Sequence, residues 1–381
     1  MDATNIVQDG TVRAPFGSIT LGVGDPNDAA TQALFGNLPL IATQNVTLAN
    51  GSLTSVSAGN ATLPYGTTLD GTSWTYPGIL NNASSPYLTA PPAKIVTLNG
   101  QAVSLDKGAA VDLSGGGTLQ AEEWVPGTGG TRNLLSQYSI SYAASTSGTT
   151  VPLYPDARNV YAVLPGYAAP VAAYDPVFAQ QPNPAQQGYD TSLGVGQAGS
   201  GDLIGKAVYL SGVPGLPAGV YTLLPAKYAT LPGAFRVVEN STSAAAGQSA
   251  TLADGTNVVA GYFADALTGA RSATPVLFDV QSQATWSKYS EYRLTDANSF
   301  FAAQASAAGS ASPALPKDAG QLVLAATDQL GLGATLNTAA GSGGAAAQVD
   351  IASQDIQIVG AGEAALSGYL QISASDLDAL N

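Results

Sequence analysis

The chain has no cysteine and no histidine. Without cysteine there is no disulfide scaffold and no thiol chemistry, a pattern in keeping with export, since many bacterial surface proteins avoid thiols. Without histidine, a Ser-His-Asp triad, a Cys-His dyad and every histidine-based metal site are excluded. Charge is scarce, at 10% of residues, against ~25% in ordinary soluble domains. The 12 basic residues are scattered among 26 acidic ones, for a net charge of -14. Nucleic acids and anionic membrane surfaces require clustered cations, so neither is an expected partner. No apolar run reaches the ~18 residues of a membrane span. The opening "MDATNIVQDG" has neither the basic nor the apolar region of a signal peptide, so an exported protein is expected to carry this sequence as an excised piece. No glycine-rich loop ends in Gly-Lys-Ser/Thr; "SGGGTLQ" lacks the lysine and reads as a corner between strands.

What is present is small and β-forming. The 381 residues include 44 glycines and 23 prolines, and 45% are hydrophobic, which argues against wholesale disorder. That length accommodates one large all-β unit or two domains. Residues 1–130 consist of short runs with period-two alternation, such as Val46-Thr47-Leu48, Val96-Thr97-Leu98 and Val111-Asp112-Leu113, cut by Gly, Asn and Ser. Residues 317–381 have the same texture, with Leu322-Val323-Leu324, Val349-Asp350-Ile351 and Ile356-Gln357-Ile358. The runs "VDLSGG" at Val111 and "VDIASQ" at Val349 look cast in one mould. The expected fold is therefore all-β, a right-handed parallel β-helix (solenoid) whose coils bury a column of Val, Ile and Leu. An ordinary β-sandwich is the alternative, although its strands tend to be longer and more aromatic.

Residues 131–316 differ. They are rich in Tyr and Pro and read as an inserted β-rich domain that leaves one coil and returns to the next, as solenoids allow. Two segments share a Tyr-x-x-Leu-Pro run, "VYAVLPGYAAP" from Val160 and "VYTLLPAKYATLPGAF" from Val220. They read as strand-then-turn units, with Pro225 and Pro232 ending strands. "DANSFFAAQASAAGSAS" reads as a short helix with Asp296 at its N-terminus.

The stretch "GVPGLPAGVYTLLPAKYATLPGAFRV", together with "GTVRAPFGSITLG", resembles the large exoproteins of the filamentous haemagglutinin family. The resemblance covers about a tenth of the chain plus the repeat texture. It implies a β-helical shaft, secreted by the two-partner route through an outer-membrane transporter to the surface of a Gram-negative bacterium. It further implies adhesion to a host or bacterial cell-surface glycan or protein. The family's Asn-Pro-Asn secretion motif is absent, and "QQPNPAQQ" is not that motif, so an internal or late portion is expected.

No catalytic residue, metal or cofactor is expected. Paired carboxylates alone can cleave glycans, and Asp106 with Asp112 and Glu122 with Glu123 are the candidates. Adjacent Glu122 and Glu123 would point to opposite faces of a strand, and all four read better as solvated charges. Calcium is the other option, at Asp25, Asn27 and Asp28 in "GDPNDA", where a plain Asp-Pro-Asn turn is the better reading. A binding surface is expected on the insertion, at Tyr167, Tyr174, Phe178 and Tyr189. There the segment "GYAAPVAAYDPVFAQQPNPAQQGYD" has aromatic rings but no strand pattern.

Overall fold

The computed structural model describes residues 1–76, 87–125, 133–135, 142–144, 150–152, 160–170, 206–240, 243–360, 363–364 and 366–378. Strand accounts for 43% of the chain and helix for 10%, so the protein belongs to the all-β class. Contacts divide it into two units. The first comprises Met1–Thr62, Thr89–Leu119 and Asp296–Asn381; the second comprises Leu63–Leu88 and Gln120–Thr295. The division falls near residues 62, 88, 119 and 295, whereas sequence texture alone placed it at 130 and 316.

In the first unit, neighbouring strands of three ladders run parallel. The first ladder stacks Asn5–Gln8, Asn45–Leu48, the second half of Ile95–Leu105, the second half of Gln321–Leu332, and Leu370–Ser373. The second stacks Thr11–Arg13, Leu53–Ser55, Ala110–Asp112 and Thr335–Asn337. The third stacks Ser18–Leu21, the first halves of Ile95–Leu105 and Gln321–Leu332, and Gln348–Ala352. The chain visits the three in rotation, returning to each one strand further along.

Alternation explains why these runs are strands and which way they face. Val96, Leu98, Val103 and Leu105 are buried, while Thr97 and Ser104 between them are half-buried. Parallel register then aligns like with like. Ile19, Val96, Leu322 and Val349 form one column, and Leu21, Leu98, Leu324 and Ile351 form the next. Burying such side chains stabilises each by about 1.5–3 kcal/mol over exposure. Gly22 makes one corner possible: its φ is +89°, and a Cβ there would lie 2.0 Å from the Asn99 carbonyl oxygen.

The runs "VDLSGG" and "VDIASQ" do not occupy equivalent places. Val111 pairs with Thr54 and Leu336 in the second ladder, whereas Val349 pairs with Leu322 in the third. Their common texture marks strand plus turn, not a common rung. The helix Ala297–Ala307 forms as expected, with the Asp296 side chain accepting from the Ser299 backbone N–H at 3.0 Å. It buries Ala297, Phe300, Phe301 and Ala305 along one face and belongs to the first unit.

The second unit centres on an antiparallel sheet. Its order is Gly219–Thr222, Lys206–Leu210, Asn257–Asp265, Val276–Ser282, Phe235–Glu239, Val160–Val163 and Leu224–Pro225. The first and last of these strands flank Leu223, so a single segment pairs with both edges and nearly closes the sheet into a barrel. Closure removes edge strands that would otherwise invite pairing with another chain. The two Tyr-x-x-Leu-Pro runs meet at this seam, where Tyr161 pairs with Pro225 and Ala162 with Leu224. Pro225 ends its strand, and the 3-10 turn Ala226–Thr230 follows. Tyr161, Tyr221, Leu223, Leu224 and Tyr228 are all buried, so this segment is core.

Candidate functional site on the first parallel ladder

Apart from exposed Val7 on its first strand, the outward positions of the first ladder carry short or neutral polar side chains. Asn45, Ala102, Gln329 and Gln371 lie in register across four successive strands. Thr47, Ser104 and Gly331 form the adjacent column. Inward neighbours Val46, Val103 and Leu105 are buried, which fixes the polar set on the opposite face. Because Ala102 and Gly331 are small, the face is hollowed between their larger neighbours. The hollow has a volume of about 640 Å3 and is rimmed by Tyr369, which is 41% exposed. That volume falls within the ~300–1,000 Å3 of small-molecule sites.

A β-bulge adds a carboxylate. Register shifts between Ala326 and Gln329, so Thr327 and Asp328 together oppose the single residue Gln101. Bulges re-aim side chains and concentrate near functional sites. Here the bulge brings exposed Asp328 to the wall of the hollow, the only charged residue of its lining among the described residues.

Asn45 donates to Asn5 at 2.6 Å and Ser104 to Asp106 at 2.6 Å. The side chains of Thr47, Asp328, Gln329, Tyr369 and Gln371 have no hydrogen-bond partner among the described residues. Converging donors and acceptors without internal partners are available to a ligand.

The sequence-predicted candidates are spent differently. Asp112 accepts from Ser55, from the backbone and hydroxyl of Ser114, and from Asn337, which makes it a brace of the second ladder. Asp106 accepts from Ser104, and no hydrogen bond joins the two aspartates. The Glu123 carboxylate accepts from Thr68 and Gly71 and pairs with Arg293 at 3.3 Å. The Glu122 backbone carbonyl accepts from the Thr67 hydroxyl. Asp25 closes its turn on the Asn27 N–H at 2.8 Å, and Asp28 caps the helix Ala29–Leu34 through Thr31. Among the described residues, no three acidic side chains are grouped to hold a metal ion.

Of the expected aromatic surface, Tyr167 is half-buried and packs against the cluster of Val160, Leu224 and Trp286. Its carbonyl accepts from the Thr222 N–H at 3.2 Å. Tyr174, Phe178 and Tyr189 lie outside the described residues. Another polar cluster is internal to the second unit. Buried Arg236 donates to the Leu134 carbonyl and to Gln281, and Gln281 donates to Thr256. Nearby Tyr292 donates to Asn133 and accepts from the Leu135 N–H, and burial pushes its phenol well above the ordinary value. These groups satisfy one another, as an internal brace requires.

Sequence reasoning missed the ladder hollow because neutral Asn, Gln, Ser and Thr are ordinary on any solvated strand. One signal was present: Thr327-Asp328-Gln329 breaks the alternation of "LVLAATDQLGL". No protein-family model, curated protein or solved structure matches the chain.

Proposed function

We propose that the chain is a structural and adhesive module of a secreted bacterial surface exoprotein of the filamentous haemagglutinin type. In this reading, the first unit is a parallel β-helical shaft and the second a β-rich domain inserted into it. The observation that carries the reading is the rotation of the chain through three parallel ladders with aliphatic columns in register. Both stretches of the second unit depart after a strand of the second ladder and return before one of the third. A stacked-coil scaffold tolerates such excursions, since each coil depends only on its neighbours.

The module acts by binding. The ladder hollow offers amides, hydroxyls, one carboxylate and one phenol ring, and its lining lacks the second carboxylate that glycan cleavage by Asp or Glu requires. The partner is a host or bacterial cell-surface glycan or protein, and export runs through an outer-membrane transporter of the two-partner type. The test is attachment: beads coated with the purified chain are mixed with epithelial cells and with bacterial cells. Saturable attachment, competed by soluble chain, is expected for at least one cell type. Attachment to none, or reproducible release of reducing sugars from polysaccharides, would overturn the reading.

A further inference from the structure

We propose that the hollow on the first ladder binds a neutral, extended oligosaccharide lying along the stack of strands. The proposal rests on the adhesive reading and assigns its contact site to the ladder, not to the Tyr- and Pro-rich insertion. Five polar side chains with no hydrogen-bond partner among the described residues, Thr47, Asp328, Gln329, Tyr369 and Gln371, line it. Planar amides and carboxylates present paired acceptors and donors to the vicinal hydroxyls of a sugar. A tyrosine ring gives its apolar sugar face a surface to stack on, while the phenol hydroxyl stays available for hydrogen bonding.

Charge narrows the ligand class. Among the described residues the lining has one carboxylate and no cation, and the whole chain carries a charge of -14. Sulfated or uronic-acid sugars would therefore meet repulsion with no counter-ion, and phosphorylated ligands likewise. Spacing narrows it further. Amide side chains recur at ladder positions Asn45, Gln329 and Gln371, with Ala102 leaving a gap between the first two. Neighbouring strands lie ~4.8 Å apart, so the Gln329 and Gln371 amides stand one strand spacing apart and Asn45 stands two spacings beyond Gln329, a row along which an extended chain can lie.

The experiment titrates the full chain with β-1,4-linked tetrasaccharides of glucose, mannose, xylose and N-acetylglucosamine, with sulfated and uronic-acid oligosaccharides as the opposed set. At least one neutral tetrasaccharide should bind, and the anionic set should not. Ala102→Trp fills the hollow from an outward position and should weaken binding at least tenfold, with the melting temperature unchanged. Tyr369→Ala should do the same, and Tyr369→Phe should keep most of the affinity. Should Ala102→Trp lower the melting temperature, the Tyr369 pair decides the matter. No neutral sugar bound at millimolar concentration, a preference for anionic sugars, or binding indifferent to Tyr369→Ala would overturn the proposal. Bead attachment that persists in Ala102→Trp without any sugar binding would overturn this site and leave the adhesive reading standing. Sugar binding without attachment to any cell would do the reverse.

Discussion

Leu98→Ala tests the aliphatic columns of the ladder stack. Leu98 is fully buried, with Leu21 in register on one side and Leu324 on the other, both also fully buried. Backbone ladders hold its strand from both sides, so the gap left by the lost carbons cannot close by a shift of one strand. Large-to-small changes at such sites cost 2–5 kcal/mol, rising with the cavity that remains. A site with so little room to collapse belongs in the upper half, at about 3–4 kcal/mol. For a unit of 150–250 residues, each kcal/mol shifts the melting temperature by about 2–4 °C, so a fall of roughly 6–16 °C is expected. All three tryptophans (Trp74, Trp124 and Trp286) fall in the second unit. The transition is therefore followed by far-UV circular dichroism and urea titration, since indole fluorescence does not report on the first unit directly. Thr97→Ala is the control: it sits next in the same strand, faces the other way and is only half-buried. It should cost less than about 1 kcal/mol, as most changes away from the core do. Equal losses at the two positions, or a loss under 1 kcal/mol at Leu98, would refute the assigned facing and register.

Gly261→Ala should destabilise the second unit by about 1–3 kcal/mol, read by tryptophan fluorescence. A Cβ there would lie 2.3 Å from the Tyr209 carbonyl oxygen and 3.0 Å from the Phe278 ring. Asp112→Ala should cost about 1–3 kcal/mol by urea titration, because Ser55, Ser114 and Asn337 lose a shared acceptor. A buried amine should leave a pH signature. Burial pulls the Lys94 ammonium down to about 8, while its Nζ donates to the Pro316 and Asp318 carbonyls. An unfolded lysine titrates near ~10.4. Between those values the unfolded chain holds more protons, so this group makes stability rise as pH climbs from about 8 towards 10. Lys94→Met should flatten that rise in unfolding free energy between pH 7 and about 9.5. Measurements stop there because half-buried Tyr65 and Tyr292 titrate above the ordinary phenol value and act with the opposite sign at higher pH. An unaltered slope would show that the charge is not buried as described. At the acid end, hydrogen bonds hold the carboxyls of Asp28, Asp254, Asp265 and Asp350 below their usual range. The unfolded chain then takes up protons first, so stability should fall as pH drops below about 4, followed by circular dichroism.

Local chemistry was legible in the sequence wherever a few neighbouring residues decide it. Alternation in Val46-Thr47-Leu48, Val96-Thr97-Leu98 and Leu322-Val323-Leu324 fixed strands and the face each side chain takes, because a strand repeats every two residues. Asp296 fixed a helix start, Asp25 a turn and Pro225 a strand end, because each acts on backbone groups within a few residues of itself. Partnership was not legible. A period of two says which side chains face inward but not which strand lies alongside, and many short runs of Val, Leu and Thr satisfy it equally. Only the tertiary structure paired Ile95–Leu105 with Gln321–Leu332 across the intervening Gln120–Thr295 stretch of the second unit, and set Val111 and Val349 in different ladders. It also separated Asp106 from Asp112 in role and joined the two Tyr-Pro segments at the barrel seam. The hollow on the first ladder is of the same kind. Asn45, Ala102, Gln329 and Gln371 become neighbours only when parallel strands stack in register, so no sequence window contains the site.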